Sequence, residues 1–249
     1  MARQRGLIKL KGTMGDITFY KSIDGYLARE KGGVEASRIA TDPAFVRTRE
    51  NGAEFGNSAQ AGKLLRDTLR TLSMNTSDSR VTSRLTKTMA KIKNLDTTSA
   101  RGERNVATGL ATPEGKQLLK GFNFNVKAPL GAVLHAPLRL AAADGEIIID
   151  ELSPLNDVSI PQGATHLIFK GGYAVIDFAT GNAALAISSP VRMEIVPDVD
   201  TVDLVPASLP AITGIKFLIL CIEFVQEVNG ADYSLKNGAY NVMNIVEVL

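Results

Sequence analysis

The apolar pattern of this chain changes period once, near residue 121, and that change constrains the fold more than any other feature. Before it, apolar residues recur at helical spacing, as in Val81, Leu85, Met89 and Ile92 at i, i+4, i+8 and i+11. After it, the period drops to two and turn signals recur. Segments 122–126, 146–149, 166–170, 173–178, 183–187, 217–228 and 239–248 read as strands. Asp144-Gly145, Gly171-Gly172, Gly181-Asn182 and Asn229-Gly230 punctuate them. Short strands so punctuated predict an antiparallel sandwich. The interval 195–210, with three prolines and Asp198, Asp200 and Asp203, reads as an irregular acidic connection or an edge. The expected class is α+β: a β-hairpin arm over 1–34, a basic helical region over 35–120, and an acidic antiparallel β-sandwich over 121–249.

The segment 6–34 carries dense β signals of its own. Leu7-Ile8-Lys9-Leu10, Ile17-Thr18-Phe19-Tyr20 and Tyr26-Leu27-Ala28-Arg29 are β-rich runs. Gly12 and Gly15 are expected to bracket one turn, Asp24-Gly25 to form a hairpin turn, and Gly32-Gly33 to close the segment. Leu7, Leu10, Ile17, Phe19, Tyr20, Tyr26 and Leu27 are too many apolar residues for a free tail. A lone hairpin is marginal in water, so these runs need a partner. The expected partner is the sheet of a neighbouring subunit, with the chain's own helices as the competing surface. Lys9, Lys11, Lys21, Arg29 and Lys31 would complement an acidic acceptor.

Asp42-Pro43 reads as a helix start, with Asp42 as N-cap and Pro43 at the first helical position. The segment to Leu72 presents a stripe of Phe45, Gly52, Phe55, Ala59, Gly62 and Leu69. A break at Gly56-Asn57-Ser58 is an equal alternative. Asn75-Thr76-Ser77-Asp78 is expected to start the next helix. Residues 94–111 read as loop with one helical turn, and Thr112-Pro113-Glu114 caps a last short helix ending near Gly121.

Charge is strongly divided along these 249 residues. Residues 1–120 hold 22 Lys+Arg against 12 Asp+Glu (22 − 12 = +10), and residues 121–249 hold 6 against 14 (6 − 14 = −8). Such asymmetry points to a basic module that meets an anion, or to two parts that attract each other; two domains whose ordinary surfaces differ is the competing reading. Arg80, Arg84, Lys87 and Lys91 form a basic stripe at i, i+4, i+7 and i+11 that could neutralise several phosphates. It lacks aromatic partners for stacking bases, and a solvated helix face or a contact with acidic protein is the competing reading. Arg84 and Lys87 lie off the apolar face, so their truncation is expected to spare the fold.

No catalytic constellation can be assembled from the motifs. His135 and His166 stand outside any HExxH pattern, and neither a GxSxG elbow nor a GxGxxG turn is present. Ala61-Gly62-Lys63-Leu64 is not a phosphate loop. Asp198, Asp200 and Asp203 resemble a metal cluster only loosely, without the EF-hand Gly and Glu. Cys221, the single cysteine, excludes an internal disulfide and sits in FLILCIEFV, where a buried inert thiol is expected. No cofactor and no metal are expected. No apolar run approaches the length of a membrane span or a signal peptide. Synthesis in the cytoplasm is expected, and an extracellular or particle location is compatible with it.

The residues GTMGDITFYKSIDGYLAREKGGV, followed by DPAFVRTRENGAEFG and AGKLLRDTLRTL, resemble an uncharacterised family of bacterial proteins of similar length. Those proteins open with a Gly-Thr-x-Gly-x-x-x-Phe-Tyr hairpin and a basic helical region, and continue into a β-rich half. The resemblance covers about the first hundred residues and implies no catalytic residues. A looser similarity links the chain to phage-type and filament structural proteins, whose N-terminal arms join neighbouring subunits. The function expected is a non-catalytic structural subunit that self-assembles, as a filament, shell or phage-type particle, through its arm. The alternative is a nucleic-acid-binding protein that uses the basic helical half, and a third class is an enzyme or carbohydrate-binding sandwich.

Overall fold

The computed structural model describes residues 2–30, 32–76 and 78–249. Lys31 and Ser77, which the sequence assigns to the cationic set of the arm and to a helix start, lie outside the described residues. The chain divides into two compact units, Met1–Arg49 and Glu50–Leu249. The class is α+β, with N-terminal hairpin strands, then helices, then antiparallel sheets.

The first unit holds β1 (Ala2–Arg3), β2 (Gly12–Met14), β3 (Ile17–Ser22) and β4 (Gly25–Glu30), in the order β1-β4-β3-β2. A short helix, α1 (Ala36–Thr41), and a 3-10 turn (Pro43–Phe45) follow. The β3–β4 hairpin turns at Ile23-Asp24, one residue before the expected Asp24-Gly25 pair, because Ser22 and Gly25 are already paired. Leu7-Ile8-Lys9-Leu10 is not a strand here, and Gly12 opens β2 instead of bracketing a turn. The reason is topological: β1 and β2 lie at opposite edges of the sheet, so the segment between them crosses it and cannot join it. Gln4 clips that crossing in place. Its side chain accepts the Leu10 N–H (2.9 Å) and donates to the Leu10 and Leu27 carbonyls (3.2 and 3.0 Å). Asp42 behaves as a cap, accepting from the Ala44 N–H at 2.9 Å with Pro43 at the first position.

The 23-residue helix α2 (Val46–Thr68) runs without interruption, so the break at Gly56-Asn57-Ser58 does not occur. In the second unit its buried face is Glu54, Ser58, Ala61, Gly62 and Leu65, continued by Leu69 and by Leu72 of α3 (Arg70–Ser73). This corrects the expected stripe: Phe55 is 62% exposed and Gly52 is open to solvent. Two polar residues occupy the buried face, and an apolar periodicity cannot register them. The next helix, α4 (Val81–Lys93), starts at Val81, because the Asp78 carboxylate takes the Arg80 N–H (2.7 Å) in the turn before it. Leu85, Met89 and Ile92 are fully buried on its expected face. After it, α5 (Val106–Leu110) and α6 (Pro113–Leu119) are capped by Asn105 and Thr112.

The remaining elements are α7 (Leu130–Val133), β5 (Arg139–Ala141), β6 (Glu146–Leu152), α8 (Pro154–Asp157), β7 (His166–Ile176), β8 (Ala183–Ile187), β9 (Val191–Glu194), β10 (Asp200–Leu204), β11 (Ile215–Val228), β12 (Ala231–Ser234) and β13 (Val242–Val248). A six-stranded sheet runs β12-β11-β7-β8, with β13 also beside β11 and β9 beside β7, and a three-stranded sheet runs β10-β6-β5. Successive side chains of β11 alternate between two cores. Phe217, Ile219 and Cys221 pack with α2, α4, α5 and α6, and Leu218, Leu220, Ile222 and Phe224 pack with Ile147, Ile149, Val202 and Leu204 of the smaller sheet. The six-stranded sheet is therefore the middle of three layers, and β11 is apolar on both faces, which explains its near-continuous hydrophobic run. The helices of residues 50–120 share one core with this sheet.

Gly171-Gly172 is not punctuation but the middle of β7. A Cβ on Gly171 would lie 2.9 Å from Leu204 Cβ, and one on Gly172 would lie 2.5 Å from Leu72 Cδ1. The pair thins the central strand on both faces so that the outer layers can approach. Segment 122–126 is likewise not a strand. It makes one bridge, Asn123 to Asn244, and hydrogen bonds that cover the outer edge of β13. The acidic interval 195–210 contains β10, an edge strand, as one of its two expected forms.

Candidate functional site

In the N-terminal sheet, the pairings Met14 with Ile17, Phe19 with Ala28, Lys21 with Tyr26 and Ala2 with Ala28 put those residues on one face. The pairings Tyr20 with Leu27, Thr18 with Arg29 and Thr13 with Thr18 make the other. The first face is mainly apolar, with Glu30 paired to Ile17 and Lys21 over the Tyr26 ring at 5.6 Å. The second is mixed, with Arg29 over Tyr20 at 5.6 Å and the Thr13 and Thr18 hydroxyls 3.3 Å apart. The seven expected arm residues are thus divided: Ile17, Phe19 and Tyr26 share one face, Tyr20 and Leu27 the other, and Leu7 and Leu10 lie in the crossing segment.

None of the described residues of Met1–Arg49 is buried. Leu7 and Ile23 are fully exposed, Ile8 is 82% exposed and Met14 68%. Ile8, Met14 and Ile23 were missed by the sequence reading. The alternation of LIKLK would have included Ile8, whereas Ile23 sits in a turn, where no periodicity marks it.

The basic stripe does not survive as four equivalent cations. Arg84 Nη2 binds Asp78 at 2.6 Å and the Phe124 carbonyl at 3.2 Å, and the guanidinium lies 5.1 Å from the Phe122 ring centroid. Its Nε is buried without a partner. Burial opposes the Asp78 charge, but bonds from the Arg80 N–H, Arg84 and the Val126 N–H outweigh it and hold the carboxyl below its usual range. Arg84 is therefore a tie between α4 and the 122–126 segment, which corrects the expectation that its truncation spares the fold. Arg80, Lys87 and Lys91 remain exposed. A cleft of about 250 Å³ beside α3 is lined by Arg66 and Arg70 but also by Asp67 and Asp78, so it is not a purely cationic surface.

Two carboxylates unmarked in the sequence organise the helical layer. Glu54, 2% exposed, accepts from Lys93, from Arg104 Nε (2.9 Å) and from the Gly102 N–H (2.8 Å). The Lys93 bond leads in lowering its pKa to about 2, against the opposing effect of burial. Asp96 is 1% exposed. Burial opposes its ionisation, yet bonds from Ser99, Asn105 and Thr98 hold it far below the ordinary range. On the sheet, Lys170 Nζ meets Glu223 Oε1 at 2.6 Å, and Asn75 donates to Glu223 Oε2 at 2.9 Å. These are tertiary ties, each fully partnered.

His166, Glu227 and Asp232 form the one group with metal-ligand spacing among the described residues. Arg192 already occupies it, bidentate on Asp232 (3.0 and 2.9 Å) and bonded to Glu227. Asp198, Asp200 and Asp203 do not converge into such a group. His135 bonds the Ser159 hydroxyl at 2.9 Å. Cys221 is buried, and burial pushes its thiol up to about 12, which makes it a poor nucleophile. Among the described residues no helix is long and apolar enough to cross a membrane.

No family model, curated protein or solved structure matches the chain.

Proposed function

We propose that the protein is a non-catalytic structural subunit that assembles with copies of itself, into a filament, shell or phage-type particle, through its N-terminal sheet. The observation that carries this reading is a four-stranded sheet whose described residues are nowhere buried although one face gathers Met14, Ile17, Phe19 and Tyr26. A sheet gains its stability by covering an apolar face, and here Met14 and Ile17 are exposed and Phe19 and Tyr26 only half-buried, which marks an interaction surface. The test is light scattering and negative-stain microscopy of the full chain and of a variant lacking residues 2–33. Assembly of the full chain, with a folded, soluble monomer after deletion, is the expected pair of results. A full chain that stays monomeric at every concentration rejects the reading. A deletion variant that loses thermal stability as a monomer favours docking on the chain's own helices.

The nucleic-acid reading draws on Arg80, at the N-terminus of α4, and on Lys87 and Lys91 within it, all exposed. The commitment of Arg84 to Asp78 weighs against it by interrupting the stripe. Salt-sensitive retention of DNA by a monomer would reverse the ranking.

A further inference from the structure

We propose that residues 7–11 are the donated strand of this assembly and that they add to the outer edge of β10 in a second copy of the chain. The inference rests on the assembly reading above and names its two contact surfaces.

The donor is a β-rich segment with no strand partner of its own; it is held by Gln4, at the Leu10 N–H and carbonyl and at Lys9 Nζ, contacts it would exchange for main-chain bonds to a second copy. In Leu7-Ile8-Lys9-Leu10-Lys11, Ile8 and Leu10 point to one side of an extended chain and Leu7, Lys9 and Lys11 to the other. Leu7 and Ile8 are exposed, and the sheet topology keeps the segment out of the N-terminal sheet.

The acceptor is an unshared edge. β10 pairs with β6 on one side, and no strand lies on the other among the described residues. After a bulge between Asp200 and Val202, its side chains alternate: Asp203 is exposed, while Val202 and Leu204 are buried in the core between the sheets. An added strand would continue that alternation. Ile8 and Leu10 would extend the row of Val202 and Leu204, and Lys9 and Lys11 would lie on the side of Asp203. The five residues of β10 match the five of the donor in length.

Charge selects this edge over the others. Residues 2–15 carry Arg3, Arg5, Lys9 and Lys11 and no acid; residues 194–215 carry Glu194, Asp198, Asp200 and Asp203 and no base. Neither set takes part in a salt bridge among the described residues. Asp203 lies instead against Glu146, whose pKa is raised, first by burial and then by the Asp203 charge, with nearby Arg139 only partly offsetting it. A lysine from a second copy would relieve that repulsion. The competing edges fit less well: β13 is covered by segment 122–126, β8 is uncharged, β5 has three residues and carries Arg139, β9 carries Arg192, and the acid of β12, Asp232, is already paired with Arg192.

The test uses the full chain and a charge swap. Lys9→Glu with Lys11→Glu, and separately Asp200→Lys with Asp203→Lys, should each raise the concentration for half-assembly at least tenfold. All four changes together should restore assembly. A further variant, Lys9→Cys with Asp203→Cys, should give disulfide-linked copies under mild oxidation, the native Cys221 being buried. If the wild type assembles but the four-fold swap stays dissociated, or neither pair has an effect, this interface is wrong and the assembly reading stands. A crosslink formed within one chain also overturns it. A wild type that never assembles overturns both.

Discussion

Gly109 of α5 packs against the carbonyl oxygen of Ile92 in α4 so closely that a Cβ at Gly109 would lie 2.1 Å from it. Gly115 of α6 stands in the same relation to the Gly109 carbonyl, at 2.0 Å. Backbone atoms cannot swing aside as a side-chain tip can, so α4, α5 and α6 are stacked through these two glycines. Gly109→Ala is therefore expected to destabilise the protein by about 2 kcal/mol or more, the scale of overpacking in a tight core. Urea denaturation measures it, and an unchanged midpoint would show that the helices can separate freely.

The Glu54 network predicts an acid-dependent loss of stability. Its folded pKa of about 2 lies below the ordinary value of 4.5. A depressed carboxylate stabilises the fold above its unfolded pKa and loses that contribution as pH falls through its folded one. The contribution is full at pH 7 and declines from about 4.5 toward 2. Glu54→Gln, which leaves Lys93 and Arg104 without their anion, should cost on the order of 3 kcal/mol at pH 7. The gap from wild type should narrow at pH 3; a gap that stays constant would assign the effect to shape alone.

Arg84 and Lys87 should separate cleanly although they neighbour each other in the stripe. Arg84→Ala removes the tie to Asp78 and the Phe124 carbonyl and should lower stability by about 1.5–3 kcal/mol, the worth of a charged hydrogen bond. Lys87→Ala, on an exposed position, should change it by less than about 0.5 kcal/mol. Thermal melts of both variants give the comparison. Equal effects would mean that the Asp78 contact does not hold in solution.

The proposed assembly should respond to salt mainly in its rate. The opposite charges of the two halves of the chain attract over roughly 10 Å at 0.1 M salt, a range that shortens as salt rises. Stopped-flow scattering at low and high salt should show slower association at high salt, with a smaller change in dissociation. Association rates that do not move would make the charge division incidental.

Where a feature depends on a few adjacent residues, the sequence by itself determined it. Asp42 and Thr112 cap where expected, because a short side-chain acceptor two or three residues ahead of a free N–H acts locally. Asn229-Gly230 turns β11 into β12, with φ of 53° and 78°, because those residues tolerate the left-handed region. The Leu85–Met89–Ile92 face of α4 and the bounds of β8 were legible for the same reason: period reports which side meets a core. Only the tertiary structure decided the rest. Gly171-Gly172 looks like a turn until Leu204 and Leu72 arrive from two other layers. Glu54 looks like a solvated residue until Lys93 and Arg104, 39 and 50 positions away, close around it. Arg84 belongs to a basic stripe in one dimension and to Asp78 and Phe124 in three. Leu7 to Leu10 has the composition of a strand, but β1 and β2 sit at opposite edges of their sheet and leave it no place there. Close approach, ion pairing and strand order are relations between distant parts of the chain, and local pattern carries no record of them.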